Sequence, residues 1–213
     1  MQIYKFQRVK NQMIQILPMS SKYVSQVAYL HNAVLSGMLT QLGKNIVKIF
    51  YQTALNFHYN FGYVAVNSNK LIGFVFCTFN SASMYMDIFL RQIFPVIINI
   101  LPKVICHPKL ISYFKEMLTK KIKTNINCKT ELVYIAVHPN YRRGKIGQQL
   151  IEKVNSHLLR LEIKKYELNV NADNQQAILF YENMHFKKEY KLREFGIEKY
   201  RYSFDILSIK KLC

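Results

Sequence analysis

The stretch VHPNYRRGKIGQQLIEKV, Val137 to Val154, sets a proline turn, a cluster of cations and glycines, and an apolar stripe side by side. Pro139 ends the strand-like run before it, because its ring removes a backbone donor. Arg142, Arg143, Gly144, Lys145 and Gly147 then stand where a helix should begin. Ile146, Leu150, Ile151, Val154, Leu158 and Leu159 recur at helical spacing beyond them, which predicts an amphipathic helix. Strand, basic glycine-bearing loop and helix together suit phosphate groups. The first-turn N–H groups of a helix lack internal partners, and its dipole favours anions. Glycine lets the backbone approach the oxygens closely. Taken alone, the same loop also reads as solvated surface.

Outward from this stretch the chain alternates strands and helices. ELVYIAVHP (131–139) is a strand before the loop and KKYELNVNA (164–172) one after the helix. NQQAILFYENMHF (174–186) is a short helix ending near His185, and KKEYKLREF and EKYRYSFDILSI close the chain as an antiparallel pair about Gly196. Towards the N-terminus, QMIQILP (12–18) reads as an opening strand. SKYVSQVAYLHNAVLSG (21–37) follows as a helix capped at Ser20 or Ser21 and stopped at Gly37. NIVKIFYQTALNF (45–57) predicts a second helix. GYVAVNS and KLIGFVFCTF form a hairpin about Asn67, Ser68 and Asn69, apolar enough for a sheet covered on both faces. Residues 84–122, interrupted by Pro95, Pro102 and Pro108, predict a helical insertion of two or three bent helices. It suits a packed insertion, a lid or a homodimer interface. The 213 residues read as a single α/β domain.

Composition bounds the chemistry. Half of the residues are hydrophobic and 14% are aromatic, which excludes a disordered chain. Thirty Lys and Arg against twelve Asp and Glu give a formal charge of +18. Residues 1–86 carry seven Lys or Arg and no carboxylate, Asp87 being the first. Such a field attracts phosphorylated cofactors, nucleic acid or acidic membranes. A Lys-, Asn- and Ile-rich composition from an AT-rich genome gives the same totals. Cys77, Cys106, Cys128 and Cys213 show no zinc-binding spacing and read as free thiols, mostly buried. The N-terminus lacks a secretory signal, and the longest apolar run, Ile93–Cys106, is too short to span a bilayer. The expected location is cytoplasmic, with no transmembrane segment and no metal.

Two motifs then coincide. IAVHPNYRRGKIG supplies Ala136, Val137, Pro139, Arg142 and Gly147, and about thirty residues later Asn174, Ala177, Tyr181 and Phe186 fall in the register N-x-x-A-x-x-x-Y-x-x-x-x-F. In this order and at this distance, Glu131–Phe186 resembles the GCN5-related N-acetyltransferases, the acyl-coenzyme A-dependent GNAT enzymes. The preceding helices and hairpin resemble the N-terminal half of that fold. The resemblance implies a mixed, mostly antiparallel central sheet flanked by helices, with 84–122 inserted. Two departures stand out. Lys145 replaces the first motif glycine, with Gly144 one place early, and His185 replaces the glycine after the helix. His tolerates positive φ better than most residues, so a helix cap there is still expected.

The resemblance also implies a site. The strand carrying Ile135, Ala136 and Val137 splays from the next one, Leu168 to Val170, and the pantetheine arm of acetyl-CoA lies in the gap. Backbone amides of Arg142, Arg143, Gly144, Lys145, Ile146 and Gly147 cradle the pyrophosphate, and Asn174 and Ala177 adjoin the coenzyme. An amide near Val137 polarises the thioester carbonyl. A neutral primary amine attacks directly in a ternary complex, and Tyr181 protonates the leaving thiolate. A core tyrosine is the structural reading of Tyr181. For the general base, Glu131 and Glu167 are the candidate carboxylates, since Asn169 stands where some relatives have glutamate. Glu131 acting through water is the reading taken, and His31 and His58 read as structural or surface groups.

The charge favours a phosphorylated or acidic acceptor: a nucleotide-linked amino sugar, an RNA-borne aminoacyl group or a protein amine. Two other classes compete. One is a non-catalytic GNAT-like basic module for nucleic acid or a protein partner, favoured by Lys145. The other is a membrane-surface protein docking through 93–106.

Overall fold

The computed structural model describes residues 14–81, 83–92, 129–194 and 196–207. The first part runs β1 (Gln15–Pro18), a 3-10 turn (Ser21–Tyr23), α1 (Val24–Val34), α2 (Met38–Gln41), α3 (Lys44–Ala54), β2 (Asn60–Asn67), β3 (Lys70–Thr78) and α4 (Met84–Arg91). The second part runs β4 (Glu131–Val137), a 3-10 turn (Pro139–Tyr141), α5 (Ile146–Arg160), β5 (Lys165–Asn171), α6 (Gln175–Asn183), β6 (Lys187–Glu194) and β7 (Ile197–Asp205). The strands form one sheet in the order β1-β2-β3-β4-β5-β7-β6. Every neighbouring pair is antiparallel except β4 with β5.

Local chemistry explains the elements. Ser68 and Asn69 both take positive φ (47° and 65°), the twist that a two-residue hairpin needs between β2 and β3. β2 and β3 are buried almost throughout, as a centrally placed hairpin requires. Gly196 (φ 73°) turns β6 into β7. α1 differs from expectation at both ends. It enters through the 3-10 turn without a side-chain cap from Ser20, and it stops at Val34. Gly37, at φ 144°, instead starts α2, a four-residue helix the sequence reading missed.

Two apolar layers flank the sheet. On one face α1 and α3 pack Val27, Val47, Phe50 and Tyr51 onto Phe74, Phe76 and Ala136. On the other, α5 and α6 pack Ile146, Leu150, Val154, Ile178 and Tyr181 onto Ile72, Val75, Leu168 and Tyr202. Leu159, read as part of the α5 stripe, is instead exposed. α4 lies on the first face. The Tyr59 hydroxyl donates to Asp87 Oδ2 at 2.6 Å, and Ser83 Oγ donates to the same oxygen at 3.0 Å. The rest of the expected insertion falls outside the described residues, as do Cys106, Cys128, Cys213 and the apolar run 93–106. Cys77 is a buried free thiol.

Candidate active site

The parallel pair β4–β5 is the irregular place in the sheet. β3 and β4 pair over nearly their whole length, and so do β5 and β7. β4 and β5 are in register only at Glu131 opposite Glu167. The Glu167 N–H donates to the Thr130 carbonyl at 3.1 Å, next to that pair. Beyond it the strands diverge as a fork. Ile135, Ala136 and Val137 lie on the open arm of β4, and Asn169 to Asn171 on that of β5. Backbone donors and acceptors facing across such a gap need another partner.

The loop expected to hold phosphates closes the open end. His138 to Tyr141 turn the chain out of β4, and Arg142 Nε donates to the Val137 carbonyl at 3.4 Å. Arg142, Arg143 and Lys145 are all exposed. Lys145 is the N-cap of α5 in the left-handed conformation (φ 60°, ψ 10°), and Arg143 also takes positive φ (63°). Gly144 does not, so a lysine adopts the backbone conformation a motif glycine would supply. The first turn of α5 contains no acidic residue, leaving its amides and dipole electropositive. Gly147 has a different role from that of an open approach to a ligand. A Cβ there would meet the Phe180 ring at 3.1 Å, so this glycine lets α5 pack against α6.

α6 brings the second motif to the same face. Asn174 caps it, its Oδ1 accepting the Ala177 N–H at 3.1 Å. At the other end His185 takes φ 63°. The Phe186 N–H donates to the Tyr181 carbonyl and the His185 N–H to the Glu182 carbonyl, both at 2.9 Å. This is a Schellman cap with histidine in the glycine place. Its apolar clasp is Tyr181 on Phe186, ring centroids 5.1 Å apart. Tyr181 is buried in one apolar cluster with Ile135, Val137 and Ile146. Burial, with a further push from the Cys77 thiol, holds its phenol well above the ordinary tyrosine value.

The opposite face of the fork is polar. Arg201 of β7 reaches across β5, its Nη2 2.8 Å and its Nε 2.9 Å from Glu167 Oε2. Nη1 lies 3.1 Å from both Glu131 Oε1 and Asn169 Oδ1. Glu194 of β6 accepts from Lys199 Nζ at 2.9 Å and from Asn169 Nδ2 at 3.4 Å. Burial raises the Glu131 carboxyl while Arg201 opposes the rise, and the net direction is up. The Tyr134 and Tyr85 hydroxyls lie 3.1 Å apart beside these groups, and burial raises both phenols. His31 is a core group, its Nδ1 2.8 Å from the Tyr51 hydroxyl. Sequence reasoning missed Arg201, Tyr134, Tyr85 and Glu194. The one signal available was alternation in β7, which sets Lys199, Arg201 and Ser203 opposite the face of Tyr200, Tyr202 and Phe204.

A parallel pair that separates after one register position, with a basic helix start over the opening, meets a family match at the same place. Residues 113–186 match the model of the Acetyltransferase (GNAT) family. Those residues, fewer than half of the chain, are similar to that family. Solved structures share the fold across nearly the whole chain. NAA60 of Arabidopsis thaliana in complex with a bisubstrate analogue is 16% identical, with 91% of this chain and 98% of that one covered and a TM-score of 0.59. The ribosomal-protein-S18-alanine N-acetyltransferase of Escherichia coli is 14% identical, covering 91% and 94% at a TM-score of 0.57. The PaiA N-acetyltransferase of Thermoplasma acidophilum in complex with coenzyme A is 13% identical, covering 91% and 99% at 0.55. No curated protein matches the sequence. The GNAT fold accounts for the mostly antiparallel sheet and for its one parallel pair. Among the described residues no helix is long and apolar enough to cross a membrane, and no group of three metal-ligating side chains occurs.

Proposed function

We propose that this chain is an acetyl-CoA-dependent N-acetyltransferase that passes an acetyl group to a primary amine by direct attack in a ternary complex. The observation that carries the reading is the β4–β5 fork beneath the α5 N-terminus. The pantetheine arm lies along the arms of the fork and uses the backbone groups of Ile135 to Val137. The pyrophosphate rests on the amides of Gly144 to Gly147, with Arg142, Arg143 and Lys145 adding charge at the mouth. Asn174 and Ala177 border the same opening. Asn174 works chiefly as the α6 cap, since its Oδ1 is already engaged.

The acyl carbon meets the amine within the fork, where α5 and α6 cover one face and α1, α3 and α4 the other. The acceptor enters from the second face. Attack places negative charge on the carbonyl oxygen, which an amide near Val137 stabilises. Collapse expels the thiolate of coenzyme A, and Tyr181 supplies its proton. Burial keeps this phenol protonated at neutral pH, as a proton donor must be. Glu131, at the vertex on the acceptor face, takes the amine proton through water, and its raised carboxyl is the better base for that shift. Two observations favour a phosphorylated or acidic acceptor. Net charge is +18, and the carboxylates at the fork are engaged by Arg201 and Lys199.

Release of free coenzyme A thiol, measured with acetyl-CoA and a panel of amines, tests the assignment. Amine-dependent release is expected. Tyr181→Phe should lower kcat by about a hundredfold and leave the acetyl-CoA Kd unchanged. Amine-independent behaviour, or an unaltered kcat in the variant, contradicts it.

A further inference from the structure

Arg201 lies at one particular point of the sheet. β4 and β5 are in register only at Glu131 and Glu167, so two carboxylates face each other at the vertex of the fork. Like charges directly opposite on adjacent strands drive them apart. One guanidinium contacts both, and also reaches Asn169, the first β5 residue of the open arm on that face. Arg201 is itself buried, with 6% of its surface exposed. It therefore spans three strands, β7, β5 and β4, where backbone pairing between the last two ends. Arginine suits the task because its planar fork donates in several directions from a permanent charge.

We propose that Arg201 is a positioning residue that pins the vertex of the β4–β5 fork and so sets the width of the acyl-thioester slot. The proposal rests on the coenzyme-binding reading of that fork. Without the guanidinium, the two carboxylates separate the strands when both are ionised and stop doing so when one is protonated. The slot then becomes pH-dependent, which a permanently charged arginine prevents. The charged and titratable groups facing the vertex are Glu131 and Tyr134 from β4, Lys165 and Glu167 from β5, and Cys77 from β3. From the other elements they are Glu194 from β6, Lys199 from β7 and Tyr85 from α4. Lys165 lies 4.0 Å from Glu167 and 3.7 Å from Glu189, so its charge is shared with a carboxylate of β6.

The test is the acetyl-CoA Kd by calorimetry as a function of pH, for the native chain, Arg201→Leu, and Arg201→Leu with Glu131→Gln. Expressing each variant as a ratio to the native chain cancels titration of the coenzyme phosphates. For Arg201→Leu the ratio should be about tenfold at alkaline pH and fall towards unity on acidification. Adding Glu131→Gln should bring the ratio near unity at all pH values without restoring turnover. If Arg201→Leu does not fold, Arg201→Lys serves, since an ammonium cannot strap both carboxylates in the same fork. The expected change is smaller, and Glu131→Gln again reverses it. A pH-independent ratio, or no recovery on adding Glu131→Gln, overturns the proposal. Absence of acetyl-CoA binding by the native chain would instead overturn the coenzyme-binding reading.

Discussion

Lys145 holds a left-handed conformation at the start of α5, which costs a side-chain-bearing residue about 1–2 kcal/mol. The left-handed turn into α5 is thus made by a lysine, although Gly144 stands beside it. Lys145→Gly should therefore raise unfolding free energy by roughly 0.5–1 kcal/mol, part of the gain being offset by the freer unfolded chain. Urea denaturation measures this. Its acetyl-CoA affinity should fall only slightly, since the amide is retained and one exposed charge is lost. His185 is the same case at the end of α6, and there the sequence already pointed to the outcome, because histidine is among the residues that tolerate positive φ. What could not be read was that Gly144 is not the left-handed residue beside Lys145. Which of two neighbours turns left depends on how the helix docks rather than on local propensity.

At the scale of elements, Gly147 shows how a motif glycine can serve helix packing. Its open side meets Phe180, so Gly147→Val should drive α6 from α5 and lower stability by about 1–3 kcal/mol. A thermal melt reads the loss, and unchanged stability would show that Phe180 yields freely. The β2–β3 hairpin, α5 and the β6–β7 pair were legible because turn chemistry and hydrophobic period agree there. α2 was not, since four residues carry no period, and Gly37 signals a break without saying on which side the helix lies. The fork was legible only through resemblance, because strand divergence leaves no trace in either sequence. Arg201 was illegible for a related reason. Its partners lie on two other strands, 34 residues back at Glu167 and further still at Glu131.

Over the whole molecule, charge and burial set the pH response. Burial pushes the His31 imidazole down to about 4 from 6.5. Above the unfolded value both states are neutral, so folding is unaffected. Between the two values the unfolded chain takes up a proton that the folded chain refuses, and stability falls as pH falls. This group alone should remove about 3 kcal/mol between neutral pH and pH near 4. His31→Gln, which can still meet the Tyr51 hydroxyl, should flatten that part of the stability curve, and an unchanged curve would place the acid sensitivity elsewhere.

The central claim, that the β4–β5 fork and the α5 N-terminus together receive acetyl-CoA, is tested most directly by amide hydrogen exchange with and without acetyl-CoA. Protection should rise at Ile135 to Val137 and at Ile146 to Gln148, while Lys187 to Arg193 on the far edge of the sheet stay unchanged. Protection confined to other segments, or none at saturating acetyl-CoA, would contradict the account.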